Sequence, residues 1–325
     1  MARVVLGMAL PHSGMLGKPP ETWLEDGERD RKNNMLWFRN KRWDFADLAA
    51  ARAHEGLTAF LTVEERRARG QRCDQALDTL RRVYQEHKPD VAVILGKDQK
   101  EIFIDTTPSL AIYTGATIEN GPPQRSVYAP DHAVTYPAHP ELALHLIKAF
   151  QQEGFDMTEI IKWPDNVWMN PPGPITPHAF SFVYHRIMQD QAPPSVPIFM
   201  NTFYPPNQPS MRRSIQFGQV LLQAIQSWQT DKTVAIIASG GLSHFVVDEQ
   251  LDQIFLKHFK SYDFEALAQI DDRSYQSGTS EVKLFVPLMI ATSQLGLKMS
   301  LVDYVPVYRT EAGTGEGFCF MHWTP

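Results

Sequence analysis

The chain has 325 residues, 43% hydrophobic and 21% charged, with a formal net charge of −6 and a pI near 6.0. That balance suits a globular core and excludes the basic face of a sequence-independent nucleic-acid binder, and no apolar run is long enough to cross a bilayer. Cys73 and Cys319 have no metal or redox spacing, which points to a reducing cytoplasm and leaves any metal to nitrogen and oxygen ligands, with eleven histidines available.

In chain order, the opening MARVVLGMALPHSG reads as a strand over residues 3–10, not a signal peptide. It ends at Pro11-His12-Ser13-Gly14, where a turn-bound histidine suits a metal ligand as well as a plain backbone hydrogen bond. Residues 18–70 change in character, with Trp23, Trp37, Trp43 and dense charge. Residues 43–57 look helical, and Thr62-Val63-Glu64-Glu65 fits a Thr N-cap with an acidic first turn. The segment is expected to be a helical insertion that covers a site as a lid or makes a subunit contact.

Residues 66–88 predict an amphipathic helix stopped by Pro89, and 90–95 a buried strand tipped by Gly96-Lys97-Asp98-Gln99. A strand over 109–113, a loop at Gly121-Pro122-Pro123 and a helix over 140–154 follow. Residues 163–177 are a Pro- and Gly-rich loop that delivers His178 to the start of a helix over 178–188, whose positive end favours the neutral base. A strand over 196–203 leads through Asn201 and Tyr204 to a helix over 210–228.

The apolar run 233–238 breaks at Ser239-Gly240-Gly241, and Ser243, His244, Asp248, Glu249 and Asp252 crowd in behind it. Singly these are a cap, a core histidine and a solvated face. Together, past the carboxyl end of a buried strand, they stand where open α/β sheets bind ligands. Helices over 251–259 and 280–295, a strand over 300–308 and a glycine-rich tail loop over 309–317 close the chain. The pattern predicts one α/β domain over 1–325, with a central mostly parallel or mixed sheet and helices on both faces.

The motifs PHSGML, GKDQKEIF, HAFSF, NTFYPPNQP and SGGLSHFVVDEQLD resemble the LigB-like class III extradiol dioxygenases, which cleave the rings of protocatechuate, gallate and 3-O-methylgallate. The resemblance implies a non-haem Fe(II) held by two histidines and a glutamate, a small aromatic diol and O₂ as substrates, and a homodimer. Two imidazoles and one carboxylate leave the ion a net positive charge and open positions for a deprotonated diol. By resemblance His12 is the first ligand, Glu249 the carboxylate ligand and His178 the acid/base residue, while Asp98, Asn201, Tyr204, Ser243 and His244 line the pocket or support the ligands. Gln99 stands where better-known members have histidine, so the second ligand is either the Gln99 amide oxygen or His54 swung in from the insertion. Otherwise the ion is different or lost. Arg212, Arg213 and Arg309 are candidates to bind a substrate carboxylate. Two competitors remain: a non-catalytic binding member of the fold with an altered metal site, and a zinc hydrolase using His12 and Glu249.

Overall fold

Short apolar runs with no polar alternation need cover on both faces. In a computed structural model, which describes residues 1–121, 128, 130, 132–166 and 173–325, they receive it. The strands of the main sheet are β1 (Arg3–Leu10), β2 (Val91–Gly96), β3 (Leu110–Tyr113), β4 (Thr158–Ile160), β5 (Ser195–Met200), β6 (Thr233–Ser239), β7 (His244–Val246), β8 (Lys298–Tyr308) and β9 (Thr314–Thr324). Their order is β7-β9-β1-β6-β2-β5-β3-β4, with β8 also paired to β9. The central strands β1, β6, β2 and β5 are parallel, while β3 and β9 run antiparallel to β5 and β1. The sheet is therefore mixed.

Alternate residues of one strand enter two different cores. Val91, Val93 and Leu95 of β2 point to one face, Ala92 and Ile94 to the other. The helices are α1 (Trp23–Asp30), α2 (Phe45–Arg52), α3 (Val63–His87), α4 (Pro140–Gln152), α5 (His178–Phe182), α6 (Met211–Ser227), α7 (Glu249–Ser261), α8 (Phe264–Gln269) and α9 (Val282–Gln294). Side chains of α4, α6, α7 and α9 fill the first core, and those of α3 and α5 the second. Thr62 caps α3 by accepting from Glu65 N, and Ser210 caps α6 by accepting from Arg213 N.

Three expectations change. The segment 18–70 is not purely helical: besides α1 and α2 it holds a hairpin of Leu36–Phe38 and Lys41–Trp43, and its last residues are the first turns of α3. Leu36, Phe38 and Leu48 pack with Val246 and Ala312 in a small separate core, so the segment rests on β7 and the turn before β9. The expected tail loop becomes strand from Thr314 onward. Its glycines fit packing, since a Cβ on Gly317 would collide with the Asp252 carboxylate and one on Gly315 with the Val307 carbonyl. The helix over 178–188 is α-helical only through Phe182 and then loosens to a π turn, Val183–Ile187. Pro122-Pro123 and Pro171-Pro172, expected to be loop, lie outside the described residues.

Candidate active site

The four parallel strands end on the same side of the sheet, so the residues that follow them share one cleft. A cavity of about 200 Å³ opens there, lined by His12 after β1, Lys97 and Gln99 after β2, His178 at the start of α5, His244 of β7, Glu281 just before α9, and Glu316 of β9. Met15 and Phe245 supply apolar wall, and Lys18, Asp26, Arg29 and Arg309 add charge to the lining.

Glu281 is the hub. Its Oε1 lies 2.5 Å from Lys97 Nζ and 3.1 Å from His244 Nε2, and its Oε2 lies 3.6 Å from His12 Nε2. All four residues are buried. Burial alone would raise the Glu281 carboxyl, but Lys97, His244 and His12 together hold it well below the usual carboxylate range. Burial pushes His12 well below an ordinary histidine, so its imidazole is neutral. For His244 burial works in the same direction but is outweighed by Glu281 and Glu316, which raise it.

The far ring nitrogens are tied down. His12 Nδ1 meets Ser239 Oγ at 3.0 Å, at the end of β6. His244 Nδ1 lies 2.8 Å from the Leu242 carbonyl, which can only accept, so Nδ1 carries the proton and Nε2 faces Glu281. Gly278 lets that ring fit, because a Cβ there would overlap His244 Cδ2. By donor type the set suits ferrous iron: two oriented imidazoles, one carboxylate, and the Gln99 side chain lining the same cavity. By position, no three His, Cys, Asp or Glu side chains among the described residues are spaced as a metal cage.

His178 stands beside this cluster, its ring 4.7 Å from that of His12 in an edge-to-face contact. Glu101 grips it twice, accepting from the backbone N at 2.9 Å and pairing with Nδ1 at 2.8 Å. Burial lowers His178, yet the Glu101 charge and hydrogen bond win, and the net shift is upward. The helix-end effect expected to favour the neutral base is thus overridden by a carboxylate.

Other expected site residues go elsewhere. Glu249 is outside the cavity: it sits in the first turn of α7 and accepts a hydrogen bond from Tyr308 Oη. The carboxylate at the centre is Glu281, because α7 starts beyond β7 and turns its first residue toward β8. His54 is exposed, with Nδ1 at 3.0 Å from the Ala51 carbonyl, and does not reach the cavity. Asp98 accepts from the backbone N of Lys100, Glu101, Ile102 and Phe103, and so shapes the turn that carries Gln99 and Glu101. Asn201 likewise folds the Tyr204 turn, and both line a separate small cleft with Asp98. Ser243 is buried; its N and Oγ donate to Asp252, at 2.8 and 2.7 Å, and this locks the loop before His244.

A family profile described as the catalytic LigB subunit of aromatic ring-opening dioxygenase matches residues 56–318. The chain belongs to the LigB family. The matched span holds Lys97, Gln99, Glu101, His178, His244, Glu281 and Glu316, whereas His12 precedes it and joins the LigB site through the pairing of β1 with β6. Lys97, Glu101 and Glu281 were not foreseen. Lys97 had a signal, a charge directly at the tip of an all-apolar strand, and so did Glu281, a carboxylate at the head of a helix in which every residue from 282 to 292 is buried.

Proposed function

We propose that this LigB protein opens the ring of a small di- or trihydroxylated aromatic acid, or of a related dihydroxypyridine, by O₂-dependent extradiol cleavage. The observation that carries this reading is His178, held by Glu101, facing the same cavity as His12, His244 and Glu281. We assign His12, His244 and Glu281 as the residues that would hold Fe(II), with Gln99 beside them. When bound, ferrous iron supplies a cation for the diol oxygens and a path for electrons to O₂.

The chain's own groups do the rest. His178, with Nδ1 committed to Glu101, uses Nε2 to accept a proton from a ring hydroxyl, and Glu101 stabilises the imidazolium that forms. The same nitrogen returns the proton when the ring opens. Met15 and Phe245 cover apolar ring faces and exclude water. Of the three arginines considered for a substrate carboxylate, Arg212 is spent on Glu265 at the surface and Arg213 lies over Phe155. Arg309 lines the cavity, bridges Asp30 at 2.9 Å and keeps a buried Nε with no hydrogen-bond partner among the described residues, so it suits that role.

The test is O₂ uptake by anaerobically purified, Fe(II)-loaded protein given gallate, protocatechuate or 3,4-dihydroxypyridine. Uptake with at least one diol is expected, with loss in Glu281→Gln and retention in Glu249→Gln. No uptake with any diol, or loss in Glu249→Gln alone, overturns the assignment. A second reading, a ligand-binding member with an altered metal site, is favoured by one contact, the Lys97 ammonium against Glu281.

A further inference from the structure

A buried carboxylate that stays ionised needs a counter-charge; without one it takes up a proton instead. Glu281 has one from its own chain. Lys97 is 1% exposed, and its Nζ lies 2.5 Å from Glu281 Oε1, the oxygen that also takes His244 Nε2. The pair is neutral as it stands. The backbone under Lys97 is fixed by the four hydrogen bonds of the Asp98 turn, but the side chain above it has four rotatable bonds and lines an open cavity. Its ammonium lies 5.0 Å from the Phe203 ring centroid, a second favourable contact on the way out of the carboxylate.

We propose that Lys97 is the resident counter-cation of the site, an internal competitor that a divalent ion must displace from Glu281 before His12, His244 and Glu281 can close around it. Two cations on one buried carboxylate repel, so ion and ammonium compete for it. The site is then held folded and charge-balanced by the chain alone, at the expense of metal affinity. The inference rests on the proposed function for the ligand set, His12, His244 and Glu281, and for which ion is loaded.

Equilibrium dialysis of Mn(II) alone against wild type, Lys97→Met and Lys97→Gln tests it. Both variants are expected to bind about tenfold tighter or better than wild type, and Lys97→Arg, which keeps the charge, no tighter than wild type. If wild type takes up no ion and Lys97→Met does, the displacement inference stands and the iron-dependent function falls. If wild type and Lys97→Met bind equally tightly, the inference falls and the function stands. If nothing binds, both fall. Should the variants not fold, wild type answers by reductive methylation with formaldehyde, read by peptide mass: Lys97 becomes more reactive with Mn(II) present if the ion displaces it, and unchanged reactivity overturns the inference.

Discussion

At the scale of single residues, function turns on how carboxylates partition among histidines and cations. Glu101 and Glu281 each serve a histidine: Glu101 pairs with His178, whereas Glu281 is shared between Lys97, His244 and His12. The Glu101 charge raises His178, so the fraction of neutral base grows only as pH rises through that raised value. Glu101→Gln removes the charge and lowers His178, and the acid limb of the kcat/KM profile is expected to move to lower pH. His178→Ala is expected to lower kcat by about 10²–10⁴-fold. A Glu101→Gln profile that superimposes on wild type would refute the pairing as the cause.

At the scale of elements, loops after strands deliver the chemistry and local hydrogen bonds aim it. The Asp98 turn after β2 and the Ser243–Asp252 lock after β6 are built this way. So is the seat of His244, where the absence of a side chain at Gly278 leaves room for the imidazole. Gly278→Ala forces the ring off Glu281 or the loop off the ring. Overpacking of this kind costs about 1–3 kcal/mol. Urea denaturation should show that loss together with weakened Mn(II) binding. Full retention of both would mean that the loop relaxes and that Gly278 does not set the ring's position.

At the scale of the whole molecule, the same burial that tunes the site makes stability depend on pH. Burial raises Asp252 from the usual carboxylate value to about 7, against hydrogen bonds from Tyr304 and Ser243 that pull the other way. A folded-state pKa above the unfolded one stabilises the protonated form, so the contribution is complete below about pH 4 and is lost as pH rises through about 7. At about 1.4 kcal/mol per unit, the loss totals about 4 kcal/mol. Relative to Asp252→Asn, wild type is expected to lose stability by that order between pH 4 and 8 in urea titrations, and parallel curves would show that Asp252 stays ionised throughout.

Read from sequence alone, the architecture was accessible wherever a signal is local. Apolar runs of strand length, the Thr62 cap and the Pro89 stop are determined within a few residues, and each reappears in the fold. His12, Gln99, His178 and His244 were legible for the same reason, because strand ends and motif strings mark them. Choosing Glu281 over Glu249 was a tertiary decision. Both are glutamates at helix starts, and only the packing of α9 against β1 and β6 carries the first into the cleft while α7 turns the second toward Tyr308. Lys97 and Glu101 belong to the same class, since an ion pair between residues 184 positions apart, or 77 apart, leaves no periodic trace in the chain. The sequence by itself determined the central strands, the long helices and the edge at which the chemistry gathers, since these follow from local periodicity and turn chemistry. Only the tertiary structure decided which carboxylate meets which cation, because charge pairing across a buried cleft is set by distance in space.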